Sequence, residues 1–125
     1  KTIELHTERD ITVALHEARR MCEGCGASSF AMQKVTTIVS ELARNIVSYT
    51  PGGRIELKPM GTGRTIEICA TDQGTGIADL KLVLSGRYKS RTGMGRGLLG
   101  CKRLADRFEA ESSSSGTTVR VQVTL

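Results

Sequence analysis

One long amphipathic stripe constrains this chain more than any other feature. Val35, Ile38, Val39, Leu42 and Ile46 follow i, i+3, i+4, i+7 spacing, the mark of a helix face committed to a core. Ser28 or Ser29 can cap that helix, which runs to about Tyr49, and Pro51-Gly52-Gly53 ends it. The surface it packs on follows directly. Residues 54–58 and 64–71 alternate polar and apolar and are joined by Pro-Met-Gly-Thr-Gly, which predicts an antiparallel hairpin with Ile66, Ile68 and Ala70 on its buried side.

The rest of the chain extends this pattern. Residues 2–7 read as a strand, Asp10 as a helix N-cap, and residues 11–22 as a first helix broken by Gly24 and Gly26. A short helical stretch is expected near residues 80–84, then a polar loop over 85–95 without hydrophobic periodicity. Leu98, Leu99, Lys102, Leu104 and Ala105 predict a further helix, and residues 108–112 and 118–125 a second hairpin around Ser-Ser-Ser-Gly. With no tryptophan, two phenylalanines and two tyrosines, the core must be built from Ile, Val, Leu and Ala, which favours a sandwich of sheet and helices. The 125 residues suit a single domain, 1–125. No stretch approaches the roughly 20 apolar residues of a membrane span, and residues 1–6 carry no signal-peptide pattern, so a cytoplasmic protein without membrane contact is expected.

The net charge of +5 is local in origin. Arg87, Lys89, Arg91, Arg96, Lys102, Arg103 and Arg107 fall between Gly86 and Arg107 against one acid, Asp106. Only Tyr88 is aromatic there, so the alternation of rings and cations that grips single-stranded nucleic acid is missing, and no nucleic-acid partner is expected. A nucleotide phosphate or an acidic protein face fits better. Of the four cysteines only Cys22 and Cys25 have suggestive spacing, and they close a helix instead of opening one, so reduced thiols are the expectation.

Three constellations carry chemistry. Glu41 and Asn45 lie one turn apart on the long helix, on the flank of its apolar stripe, where a carboxylate can serve as general base and an amide carbonyl can ligate Mg²⁺. The run Thr71-Asp72-Gln73-Gly74-Thr75-Gly76-Ile77 leaves a buried strand, with a carboxylate able to accept from an exocyclic amine and glycines that let a flat base approach the backbone. The run Gly93-Met94-Gly95-Arg96-Gly97-Leu98 opens a helix in the most basic stretch, and the free amides of a helix start form an anion site suited to phosphate. Gly95-x-Gly97-x-x-Gly100 also matches the dinucleotide fingerprint, but no βαβ unit surrounds it.

In this order and context the three boxes resemble the GHKL superfamily of ATPases and kinases, whose ATP-binding domain is the Bergerat fold. Within it, Ser40-Glu41-Leu42-Ala43-Arg44-Asn45, the Asp72 to Ile77 run, Gly97-Leu98-Leu99-Gly100 and Gly116-Thr117-Thr118-Val119 look closest to the RsbT-type switch kinases. The resemblance implies an α/β two-layer sandwich with a mixed, largely antiparallel sheet, three principal helices on one face and a mobile ATP lid. It implies Glu41 as catalytic base, Asn45 as magnesium ligand and Asp72 as the acid that reads adenine. Gly74, Gly76 and Ile77 then line the base pocket, Gly93, Met94, Gly95, Gly97 and Leu98 the phosphate lid, and Thr117 supports adenine from the last hairpin. Lys89, Arg91 and Arg96 are added as cations able to neutralise phosphate charge. Tyr49 stands where related kinases often carry histidine, and Arg44 where the residue is often small.

The function implied is that of a serine/threonine-protein kinase using ATP and Mg²⁺, with STAS-domain antagonists of the stressosome as substrates and a downstream phosphatase as second partner. Two alternatives stand beside it: an anti-sigma factor kinase that sequesters a sigma factor, and a non-catalytic module whose docking face is set by nucleotide.

Overall fold

The computed structural model describes residues 1–74 and 94–125, without the side chains of 94–96. In chain order the elements are β1 (Thr2–Leu5), α1 (Glu8–Gly24), α2 (Ser29–Tyr49), β2 (Gly53–Met60), β3 (Thr65–Asp72), α3 (Met94–Leu104), β4 (Arg107–Ser113) and β5 (Gly116–Thr124). The short helix expected near 80–84 and most of the loop over 85–95, including Gly93 of the expected lid, lie outside the described residues. Met94 and Gly95, read as the end of that loop, are the first turn of α3.

Helix α1 starts three residues before the expected position. Asp10 is its third residue, not its cap: one carboxylate oxygen accepts from the backbone N–H groups of His6 (2.8 Å) and Thr7 (2.9 Å). Those two bonds hold the Asp10 carboxyl below its ordinary value. Ser28 caps α2 as expected, accepting from the Ala31 amide at 3.1 Å.

The strands form one sheet in the order β1-β2-β3-β5-β4, and every described pairing is antiparallel, so the parallel element of a mixed sheet is not among them. Register puts the apolar residues in rows: Ile3 beside Ile55 and Ala70, Leu57 beside Ile68 and Val121, and Ile66 beside Val123. Side chains alternate across a sheet, so these rows share one face, and all are buried. The opposite face carries Arg54, Glu56, Lys58, Glu67 and Arg120, with ion pairs between Arg54 and Glu56 and between Arg120 and Glu67. Pro59 fits inside β2 because Leu57 donates to Lys1 O; two residues further the ring nitrogen points the same way, past the end of β1, and no ladder bond is lost.

The helices cover the apolar face. Helix α2 crosses β1, β2, β3 and β5, and buries Ala31, Val35, Ile38, Val39, Leu42, Ala43 and Ile46, which include the whole expected stripe. Helix α1 packs beside it through Ala14, Ala18 and Cys22, while α3 lies on its other flank through Leu98 and Cys101. The aliphatic two-layer core is as expected. Ile68 is fully buried in the middle strand, so Ile68→Ala is expected to lower unfolding stability by about 2–5 kcal/mol in urea titration.

Candidate functional site

Two groups of residues converge where α2 runs along the sheet end formed by β3 and β5. The first is knitted by Asp72, the last residue of β3. Its Oδ1 accepts from the Gly74 amide at 2.9 Å and from the Thr117 amide at 3.2 Å, joining two segments 45 residues apart. The approach is close: a side chain on Gly116, whose φ is +143°, would run into the Asp72 carbonyl. Thr117 is buried, and its hydroxyl is 3.0 Å from that of Ser112. Gly74 packs on Thr50, the C-cap of α2, where a methyl group at the glycine would sit 3.0 Å from Thr50 Cγ2. Both of these bonds use Oδ1 of the Asp72 carboxylate.

The second group lies further back along α2. Glu41 and Asn45 face the first turns of α3: a methyl group at Gly97 would sit 2.5 Å from Glu41 Oε2 and 3.8 Å from Asn45 Nδ2. Glycine is what allows the carboxylate to reach this helix. Arg44 holds the other oxygen, with Nη1 3.3 Å from Glu41 Oε1 and Nη2 donating to Ser40 Oγ at 3.1 Å. The carboxylate is therefore oriented, with Oε2 directed at the start of α3. The pair is half in solvent, Glu41 at 30% exposure and Arg44 at 55%, and orients more than it stabilises. From Glu41 to Thr50 the helix rises about 13 Å, which sets the two groups that far apart along α2.

Of the expected site residues, Glu41, Asn45 and Gly97 come together, as do Asp72, Gly74 and Thr117. Gly76, Ile77, Lys89, Arg91 and Gly93 lie outside the described residues. Met94, Gly95 and Arg96 contribute the backbone of the first turn of α3. Leu98 corrects its expected role: its side chain is buried in the core, so it has only backbone to offer a ligand. Sequence reasoning missed Arg44 as the partner of Glu41, although i, i+3 spacing carries that signal. It also missed Gly116, Thr50 and Cys101, whose roles depend on contacts between distant segments.

The donor set suits a hard cation held partly by a ligand. Asn45 carries an amide and Glu41 a carboxylate one turn away on the same helix. Oxygen donors of these two kinds could serve a hard cation such as Mg²⁺.

A two-layer sandwich with Asp72 at the end of its sheet and Glu41 and Asn45 on the flank of its central helix defines the class. The histidine kinase-like ATPase domain model matches residues 5–123, and the chain belongs to that family, in agreement with the GHKL resemblance. The chain is 34% identical over 121 residues to the serine/threonine-protein kinase RsbT of Bacillus subtilis, covering 94% of this chain and 91% of that protein. In fold it is similar to a chain of the SiaB–SiaC complex from Pseudomonas aeruginosa, at TM-score 0.75 and 12% identity over 98% of this chain and 88% of that one. The nucleotide-free catalytic domain of the histidine kinase ThkA matches at TM-score 0.55 and 12% identity, covering 99% and 97%. Among the described residues no helix is long and apolar enough to cross a membrane.

Burial, and then the charge of Glu41, push the Cys101 thiol from 9.0 up to about 12, while burial raises Cys22, with smaller contributions from Cys25 and Glu23. A thiol raised in the folded state favours folding below its unfolded value and loses that contribution as pH rises through the folded one. Stability is therefore expected to fall between about pH 9 and 12, a loss that Cys101→Ala should reduce in urea titrations. In native protein, iodoacetamide should alkylate the partly exposed Cys25 and Cys69 and spare Cys22 and Cys101, as read by peptide mass mapping.

Proposed function

We propose that this chain is a protein-serine/threonine kinase of a partner-switching module, which transfers the γ-phosphate of ATP to STAS-domain proteins and docks on a downstream phosphatase. The convergence of Glu41 and Asn45 on Gly97 carries this reading. It puts a base and an oxygen ligand beside a helix start, where unpaired backbone amides favour phosphate. The relative that shares 34% identity, a serine/threonine-protein kinase, supports the same reaction.

In this reaction Asp72 Oδ2 accepts from the exocyclic amine of adenine, while Oδ1 keeps the strand ends fixed. Thr117 and Gly74 wall the base. The amides of the first turn of α3 hold phosphate oxygens, and Asn45, with Glu41 nearby, would hold Mg²⁺, which would supply charge neutralisation of the triphosphate. Lys89, Arg91 and Arg96 add cations from the neighbouring segment. Glu41 Oε2 takes the proton of the incoming serine or threonine hydroxyl as its oxygen bonds to the γ-phosphorus, and the bond to the β–γ bridging oxygen breaks to release ADP. Arg44 positions that carboxylate.

The experiment is transfer of radiolabelled γ-phosphate from Mg²⁺-ATP to candidate STAS-domain proteins, with a sigma factor as a pull-down control. Glu41→Gln should lower kcat by about 10²–10⁴-fold and leave ATP affinity nearly unchanged. If the variant labels its partner as fast as wild type, Glu41 is not the base; stable capture of the sigma factor would move the protein to a different partner. Asp72→Ala should weaken ATP binding by about tenfold or more and erase selection against GTP, whose ring offers a carbonyl in place of the amine; calorimetric titration checks both.

A further inference from the structure

Helices α2 and α3 run antiparallel. Gly97 lies against Glu41, the Cys101 thiol is 3.9 Å from the Ile38 carbonyl, and Leu104 borders a groove with Phe30, Gln33, Lys34 and Thr37. On α2, Phe30, Lys34, Thr37 and Glu41 succeed one another at i, i+4, i+7 and i+11, so the groove runs along one face of the helix and ends one turn short of the carboxylate. Its volume is about 320 Å³, at the low end for ligand pockets and enough for one or two side chains. At its outer end Phe30 is 70% exposed, with Lys34 Nζ 4.7 Å from the ring centroid.

The charge around the groove has one sign. From Ser29 to Ser40, α2 has no acid and one cation, Lys34, and α3 has no acid and ends in exposed Lys102 and Arg103. Asp106, just beyond, accepts from the Thr124 amide at 2.7 Å. A second copy seated here by two-fold symmetry would set one basic rim against another. An acidic segment with a large apolar side chain matches both the ring and the rim.

We propose that the groove between α2 and α3 docks an acidic segment of the phosphate-accepting protein, with an apolar anchor over Phe30 and Leu104, and so delivers the acceptor hydroxyl toward Glu41. This deepens the kinase reading and rests on it. Phe30 supplies the anchor contact, and Lys34, Lys102 and Arg103 select the charge.

The test titrates the STAS-domain acceptor in the phosphotransfer assay with wild type, Phe30→Ala and Lys34→Glu, each checked for an unchanged melting curve. KM for the acceptor should rise about tenfold in both variants, with kcat and KM for ATP within about twofold. Added salt should raise the wild-type KM more than that of Lys34→Glu. Unchanged acceptor KM in both variants overturns the groove and leaves the kinase reading standing. If wild type labels no STAS-domain protein, the kinase reading fails, and the groove is judged by anisotropy of a fluorescein-labelled Glu-Asp-Leu-Phe-Glu-Asp peptide. Saturable binding that both variants lose sustains the groove; no binding, or equal binding by all three proteins, overturns it. A wild-type dimer that Phe30→Ala converts to monomer in sedimentation would assign the groove to a second copy and overturn the proposal as well.

Discussion

The rotational setting of α2 governs everything else in this molecule. Seven of its residues are buried, and the helix lies across four of the five strands, so turning it by one residue, about 100°, would expose an aliphatic stripe and bury polar side chains. With that phase locked, Glu41 and Asn45 have only one place to go: the flank of the stripe, opposite the start of α3. The carboxylate is aimed by core packing on one side of the helix and by Arg44 on the other.

The sheet end is organised by a different kind of force. Asp72 accepts two charge-assisted bonds from backbone amides, one from Thr117 that ties β3 to β5 and one from Gly74 that holds the turn after β3, and the close approach of the chain there is possible because Gly116 has no side chain to collide with the Asp72 carbonyl. Helix α2 connects this polar corner to Glu41, since its C-cap, Thr50, packs against Gly74. In the proposed reaction the nucleotide spans this distance, with its base at the sheet end and its phosphates at the helix flank. The acceptor protein comes from the opposite direction, along the groove that begins at Phe30. In that proposal one helix aligns donor and acceptor, and its rigidity supplies the positioning that phosphoryl transfer depends on.

The thiols illustrate how context reassigns a residue. Cys22 and Cys25, the pair with suggestive spacing, are free thiols at the end of α1, one buried and one half-buried. Cys101, which has no second cysteine near it in the chain, sits at the contact between α2 and α3 near Glu41, and its thiol is held neutral by burial and by that charge. The reduced thiols expected at Cys22 and Cys25 are what the fold holds, and the position of Cys101 beside Glu41 depends on proximity across the fold, which spacing does not report.

Local periodicity carried most of the architecture. The i, i+3, i+4, i+7 stripe, the two alternating hairpins and the Ser28 cap are short-range consequences of helix and strand geometry, so α2, β2, β3, β4 and β5 were legible from the residues alone. The start of α1 was misjudged because Asp10 can bond backbone amides from inside the first turn as well as from a cap. Glu41, Asn45 and Asp72 were recognisable by residue type and box order. That Gly97 is the glycine against which Glu41 closes, and that Phe30 and Leu104 border a common groove, were decided only by the tertiary structure. Each of these depends on how two helices cross or on how a side chain is held, and helical spacing carries no information about a neighbour more than 50 residues away in the chain.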